Sequence, residues 1–394
     1  MKQLFHKGAD EMQPFDNPPP FGSLDRWRGI GDPLADAVID ELAARDAAAR
    51  QDLETGISAG LSTLAAPPPA LRAFLESCEA ASATETAAMG RGSEAYLSIG
   101  ATWIALSLGP GSLTHTYSAP SIARVLADTG NLTRMAERRL LETGKWNTAS
   151  VVPGALLVGA PGYVHNLQVR LLHARVRHAL LRRGWDDRAG VPINQLELAR
   201  TWLDFTFVPF AALDRLGIGF TAEELRDLYA LWHRIAALLG VASELYQPVV
   251  DQASGARLLA AIDAQAPPPD DHSRRLTGAM LDAVATLLAP RLRVGRTLSL
   301  ALARAILRRL HGNTLADQLG VPWTPVALAL PAIVVINRLA RRRLHRSPEQ
   351  RRRAVAQTRA AFAEADRDFV GRTTYERALR EPVKTEPPRT IAPR

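Results

Sequence analysis

Apolar residues recur at steps of three and four along most of this chain, a period typical of α-helices. The clearest case runs from Val169 to Leu181, with the sequence VRLLHARVRHALL. This segment lacks glycine and proline, and its arginines, leucines and alanines favour a helix. We find no internal repeat and no convincing run of alternating apolar and polar residues, the pattern typical of a half-buried strand. The sequence therefore predicts an all-α protein.

Proline and an acidic cap mark where the predicted helical body begins. Consecutive prolines exclude a helix within DNPPPFGS. Asp32 is a predicted N-cap, and Pro33 suits the first helical position. We expect an N-terminal arm over residues 1–32, a helical domain over 33–345, and a C-terminal helix with a disordered tail over 346–394.

The composition is that of an ordinary soluble globular protein. Of 394 residues, 47% are hydrophobic and 22% are charged. The single cysteine, Cys78, excludes intrachain disulfides and multi-cysteine metal sites. The net charge is +8, but only four residues are lysine; an arginine excess is weak evidence for nucleic acid, and none is predicted as a partner. The N-terminal residues show no apolar leader and no twin arginine, so we expect a cytoplasmic protein.

One apolar stretch, residues 325–340, precedes the basic segment RRRLHR. It is shorter than the roughly 20 apolar residues that a membrane span requires, and Pro331 interrupts it. A buried core helix is the favoured interpretation. Interfacial contact with a membrane and a true span remain the alternatives.

His173 is the candidate functional residue of the predicted helix 169–181. It lies at the edge of an apolar stripe, while a second apolar stripe faces the other way, so the helix is predicted to be largely buried. A buried helix histidine can be the axial ligand of haem iron, and neighbouring arginines such as Arg170 and Arg177 can pair with the propionates. The alternative is a core histidine satisfied by backbone groups. His178, five residues along, projects to a different face.

A second pair of residues precedes this helix in the segment RRLLET. Arg139 and Thr143 are four apart and so share one helix face. They are either an ordinary surface pair or, placed over a haem, groups that polarise oxygen or hold a propionate. The zinc HExxH, phosphate-binding Walker, EF-hand and GxSxG patterns are absent from the sequence.

Several segments together resemble the family of latex clearing protein, a haem rubber oxygenase, and the MpaB-type oxygenases (DUF2236). The resemblance spans roughly residues 25–345 and rests on IGDPLADAVIDEL, RRLLETGKW, VRLLHARVRHALL, GVPINQLELARTWLDF and HGNTLADQLGVP, which occur in that order.

The resemblance implies a globin-like helical core, with extra helices, that encloses one b-type haem. It implies that His173, in its H-A-x-V-R context, is the proximal iron ligand, and that Arg139 and Thr143 match an R-x-x-x-T pair. The activity it implies is oxidative cleavage or oxygenation of a C=C bond with O2. The substrate would be a hydrophobic isoprenoid, either polyisoprene or a smaller alkene.

Two positions depart from the rubber-cleaving pattern. Glu142 stands where a distal lysine ligand is expected, and we therefore place Glu142 among the candidate catalytic groups. The segment APSIARVLADTG lacks the expected glutamate base, and Asp128 is its only carboxylate.

Two other functions stay open: a haem-binding sensor of the same fold, and a cofactor-free helical binding module. The oligomeric state is not predicted.

Overall fold

The computed structural model describes residues 23–128, 132–186 and 190–381, except for the side chains of residues 132–135. Every α-helix within these ranges is numbered here in chain order. The first ten are α1 Pro33–Ala43, α2 Ala47–Ala59, α3 Pro69–Ser82, α4 Ala87–Leu97, α5 Ala101–Leu106, α6 Thr114–Tyr117, α7 Pro120–Asp128, α8 Leu132–Ser150, α9 Pro161–Arg182 and α10 Gln195–Phe205.

The remaining helices are α11 Phe207–Arg215, α12 Ala222–Leu238, α13 Ser243–Tyr246, α14 Gln252–Asp263, α15 Asp271–Leu292, α16 Arg296–Gln318, α17 Leu330–Arg346, α18 Pro348–Asp368 and α19 Thr374–Arg380. No β-strand occurs within the described ranges. The prediction of an all-α fold is confirmed. Enclosure of a haem by this fold stays a prediction.

The core has two parts. The larger is built around fully buried aromatic side chains from α9, α10 and α12, namely Tyr163, Trp202, Tyr229 and Trp232. The smaller joins α15 and α16 to the helices around residues 106–123. Helix α9 contacts α1, α8, α12 and α19, so the helix that carries His173 lies at the centre of the packing.

The start of the chain departs from the predicted arm. Residues 1–22 lie outside the described residues, but Asp25–Gly29 form a 3₁₀ helix whose Trp27 is buried. The Asp32 side chain accepts a hydrogen bond from the Ala35 amide and caps α1, as predicted. Residues 23–32 are therefore joined to the body.

The C-terminal segment contains a helix that the sequence analysis did not predict. Helix α19 begins with a capping box between Thr373 and Glu376 and packs against α9 and α2. Its packing against α9 places it beside His173's helix. Residues 382–394, the remainder of the predicted tail, lie outside the description.

The apolar stretch 325–340 is not the buried core helix that we expected. It forms a 3₁₀ turn, Pro325–Ala329, followed by the first part of α17. Val335, Ile336 and Leu339 are each at least half exposed. No described helix is long and apolar enough to cross a membrane.

Candidate functional site

A cavity of about 750 Å³ lies among α6, α7, α8, α9, α10, α12 and α19. This volume is within the usual range for small-molecule sites, about 300–1,000 Å³. Most side chains in its wall are apolar or aromatic, including Val125, Leu126, Trp146, Trp202 and Phe205. The cavity can therefore hold a large apolar ligand, with a few polar groups to orient it.

One face of α9 forms a wall of this cavity. Val169, Leu172, Val176 and Leu180, the apolar stripe recognised in the sequence, all line it together with His173. The opposite stripe is buried in the core at Leu167, Leu171 and Ala174, while Leu181 is 46% exposed. The 3.6-residue helical period thus placed the histidine on the face that meets the cavity.

His173 is enclosed by protein but faces the cavity. Burial, reinforced by the positive charge of Arg177, lowers the pKa of its imidazole to about 4. At neutral pH the ring is therefore uncharged, the form that binds a metal ion. Its Nδ1 is buried without a hydrogen-bond partner among the described residues, so no described backbone carbonyl satisfies it.

Arg139, Thr143 and Glu142 of α8 line the same cavity as His173. Arg139 forms no ion pair with any described residue, so its positive charge is available to an anionic group of a ligand. Tyr117 lies in the wall as well, and burial raises the pKa of its hydroxyl to about 12 despite the nearby Arg139 charge. The structure thus brings together four of the six predicted site residues.

Glu142 is buried, but its carboxylate already has protein partners. Oε1 accepts hydrogen bonds from the backbone amide of Thr374, at 3.0 Å, and from the Thr374 hydroxyl, at 3.1 Å. It also pairs with Arg138 Nε at 3.1 Å. These contacts join α8 to the start of α19. Glu142 therefore holds part of the cavity wall in place, a role that sequence spacing did not indicate.

Arg170 and Arg177 do not line the cavity, contrary to the expectation that they contact a cofactor. Arg170 Nε lies 2.6 Å from Asp32 Oδ2, and both side chains are buried. Arg177 pairs with Asp36 and donates to the backbone carbonyls of residues 192 and 193. Both arginines bind α1 to α9, so the structure places them in ion pairs with α1 and not in the cavity wall.

His178 also lies away from the cavity, as the sequence analysis expected. Its Nε2 is 3.0 Å from Asp40 Oδ1, in a pair whose side chains are 30% and 68% exposed. An exposed pair contributes little to stability, typically about 0–1 kcal/mol. His178 is thus a matched control for His173 on the same helix.

Asp128, the one carboxylate of the segment before α8, does not line the cavity. Its side chain is 43% exposed and lies 3.6 Å from Arg124. Among the acids that the sequence did not single out, Glu197 of α10 lines the cavity. Burial raises the pKa of the Glu197 carboxyl, while hydrogen bonds with Ser121 and the backbone oppose the shift. Its only sequence signal was the capping box with Asn194.

A buried charged cluster adjoins the cavity through Thr116, which lies in the wall. His115 Nδ1 is 2.6 Å from Asp204 Oδ1, and Nε2 is 3.0 Å from Asp263 Oδ2. Thr116 donates to the other Asp204 oxygen at 2.7 Å, and Arg200 pairs with Asp263 at 2.9 Å. Burial and Arg200 oppose charge on His115, but the two carboxylates prevail and raise its pKa.

Comparisons with known proteins agree with this architecture. Residues 97–342 match the family model described as "ER-bound oxygenase mpaB/B'/Rubber oxygenase, catalytic domain". The solved structure of latex clearing protein LCP in the closed state is similar in fold, with a TM-score of 0.62 and 21% sequence identity. That alignment covers 86% of this chain and 92% of the other. No curated protein matches the sequence.

Proposed function

The chain belongs to the family of ER-bound oxygenase mpaB/B' and rubber oxygenase catalytic domains, and from that membership we propose that it is a b-type haem oxygenase acting on a hydrophobic alkene. The reaction class is cleavage or oxygenation of a C=C bond with O2, and the substrate class is isoprenoid-like. The observation that carries the proposal is the meeting of His173, Arg139 and Thr143 in the wall of one apolar cavity.

The residues present fit a haem. His173 would hold the haem iron through its imidazole, because its ring is uncharged at neutral pH and its Nδ1 has no hydrogen-bond partner among the described residues. The apolar stripe of α9 would contact the porphyrin. Arg139, a cation without an ion-pair partner among the described residues, would pair with a haem propionate. When bound, haem supplies the activation of O2, and the protein supplies orientation and electrostatics.

The other cavity groups would act on the substrate and on protons. Aromatic and aliphatic side chains exclude water and accommodate an apolar chain. Thr143 offers a hydroxyl that can donate or accept a hydrogen bond near the reacting atoms. Glu197 offers an enclosed carboxyl group that can hold a proton, since burial disfavours its ionised form.

The experiment that tests the cofactor compares haem content in two variants of one helix. Purified wild-type protein should give a Soret band and stoichiometric haem in a pyridine haemochrome assay. His173→Ala should retain its far-UV circular dichroism and lose most of its haem, because the axial bond is gone. His178→Ala should keep both. Full haem in folded His173→Ala, or a colourless wild-type protein, would exclude this assignment.

The experiment that tests the reaction measures oxygen consumption by the haem-loaded protein with an isoprenoid alkene, alongside detection of carbonyl products. We expect consumption that depends on the alkene and fails in His173→Ala. A haem protein that consumes no oxygen with any isoprenoid tested would instead be a non-catalytic haem-binding protein. In that case the fold and the His173 assignment would stand while the oxygenase proposal would fall.

A further inference from the structure

Helix α17 buries polar side chains on its inner face and exposes apolar side chains on its outer face. The face against the protein carries Asn337 and Arg341 beside Leu330 and Val334, all buried. Asn337 donates to the Leu216 carbonyl at 2.8 Å. A surface helix normally turns its apolar stripe inward. Here two of the four buried positions are polar, so the inward face accounts for only part of the apolar residues of this helix.

The contacts of Arg341 hold this orientation in place. Its guanidinium donates to Ser98 Oγ at 2.7 Å and lies 3.2 Å from Glu224 Oε2. It also donates to the Gly219 carbonyl at 3.1 Å. The backbone approaches closely at Gly217, whose φ is +82° and where a Cβ would lie 2.4 Å from the Val334 carbonyl oxygen. A rotation of α17 that buried Val335, Ile336 and Leu339 would break this ion pair and these hydrogen bonds.

The outward face of α17 and residues 323–329 before it carry exposed apolar side chains. Trp323, Leu328, Val335, Ile336 and Leu339 are each at least half exposed, and Leu328 reaches 77%. The three α17 members are spaced so that they share one helix face. Exposed apolar side chains that group together in this way mark a candidate binding surface. We call these five residues the apolar face.

Basic residues border the apolar face. Arg338, Arg342, Arg343 and Arg346 are exposed, and none forms an ion pair with a described residue. Residues 318–348 contain no aspartate or glutamate. An apolar helix face with a tryptophan and flanking arginines is the arrangement that inserts into the headgroup region of a bilayer with anionic lipids.

From this arrangement we infer that α17 and the preceding turn form a docking surface for an anionic lipid bilayer, with the helix lying in the plane of the interface. The charge pattern favours lipid over a second copy of this chain. Self-association through the same face would bring arginines against arginines, with no acidic side chain from residues 318–348 to pair with them. Phosphate groups at a membrane surface offer the missing negative charge.

The first test is flotation of the full chain with vesicles of phosphatidylcholine alone and of phosphatidylcholine mixed with phosphatidylglycerol. We expect binding to the anionic vesicles, weaker binding to the neutral ones, and loss of binding as salt rises. Absence of binding to the anionic vesicles would overturn the inference. The assay involves neither haem nor turnover, so its result is independent of the proposed oxygenase function.

Matched variants locate the surface. The double variant Val335→Ser with Ile336→Ser should lower vesicle partition at least tenfold, because it removes two inserted side chains. Replacing two exposed valines elsewhere, Val250→Ser with Val370→Ser, makes a similar change on other surfaces and should leave partition unchanged. Equal losses in the two double variants would place the binding surface elsewhere.

The electrostatic part is tested separately. Arg342→Glu with Arg343→Glu should reduce binding to anionic vesicles by about tenfold or more, since each basic residue near such a surface contributes about 1 kcal/mol. Binding of this variant should also depend less on salt, because only Arg338 and Arg346 remain beside the apolar face. Unchanged binding would exclude the role of these arginines.

Two further measurements test how deeply this surface inserts and whether it instead mediates self-association. Brominated lipids should quench the fluorescence of Trp323, and the quenched component should disappear in Trp323→Phe. Sedimentation velocity without vesicles should show a monomer. A dimer that dissociates in the Val335→Ser, Ile336→Ser variant, together with no vesicle binding, would assign the apolar face to self-association and refute the lipid proposal.

Discussion

Replacing Asp32 by alanine should cost this protein far more stability than the loss of an ordinary helix cap. Asp32 caps α1 and also receives two hydrogen bonds from Arg170, at 2.6 and 2.9 Å. The two side chains are 4% and 6% exposed, so the pair is buried. The other close neighbours of Arg170 are Cys78, at 3.6 Å, and the Phe74 ring, at 5.0 Å. Burial raises the pKa of the Cys78 thiol to about 11, so neither neighbour is negatively charged at neutral pH.

The expected magnitude has two parts. Removing one partner of a buried ion pair leaves the other charge uncompensated and costs about 3–5 kcal/mol. Loss of an aspartate cap adds about 1 kcal/mol. The sum, about 4–6 kcal/mol, is a large fraction of the roughly 5–15 kcal/mol that separates folded from unfolded domains. Asp32→Asn keeps a capping side chain, so it should lose only the ion-pair part.

The matched control is Asp46→Ala. Asp46 caps α2 through the amides of Ala48 and Ala49 and forms no ion pair with a described residue, so its loss should cost about 1 kcal/mol. The assay is urea unfolding followed by circular dichroism, with haem content measured on the same samples. Equal costs for Asp32→Ala and Asp46→Ala would refute the ion-pair argument. Loss of haem at unchanged stability in Arg170→Met would restore the cofactor role of Arg170.

Three further outcomes follow from the site. Glu142→Ala should make α19 more sensitive to limited proteolysis, because it removes the hydrogen bonds to Thr374, while haem content stays unchanged; lost haem with an intact α19 would contradict this. The pKa of His115 is raised in the folded state, so its stabilising effect is present below the unfolded value of 6.5 and is lost as pH rises through the folded value. Melting temperatures measured from pH 6 to 9 should fall for this reason in the wild type and fall less in His115→Gln. The pKa of Glu197 is raised too, so its ionisation opposes folding at pH 8. Glu197→Gln keeps the capping box and should melt at the same or a higher temperature at pH 8, with no gain at pH 4; a lower melting temperature at pH 8 would show that the charge is stabilising.

The sequence by itself determined the helical class, the start of α1 and the face of α9 that carries His173. These features depend on local properties: hydrophobic period, cap chemistry and the 100° turn between successive residues. The linked segments also identified the family, and the match of residues 97–342 confirms it. The same helical geometry placed His178 away from His173, on a different face of α9.

The tertiary structure alone decided which partners the polar residues have. The sequence could not show that Arg170 pairs with Asp32, 138 residues away, or that Glu142 accepts hydrogen bonds from Thr374, 232 residues away. Helical period shows which side chains share a face, but it carries no information on what packs against that face. The orientation of α17 has the same cause. The ion pair of Arg341 with Glu224, 117 residues apart, fixes a polar side chain on the buried face, while Val335, Ile336 and Leu339 stay exposed.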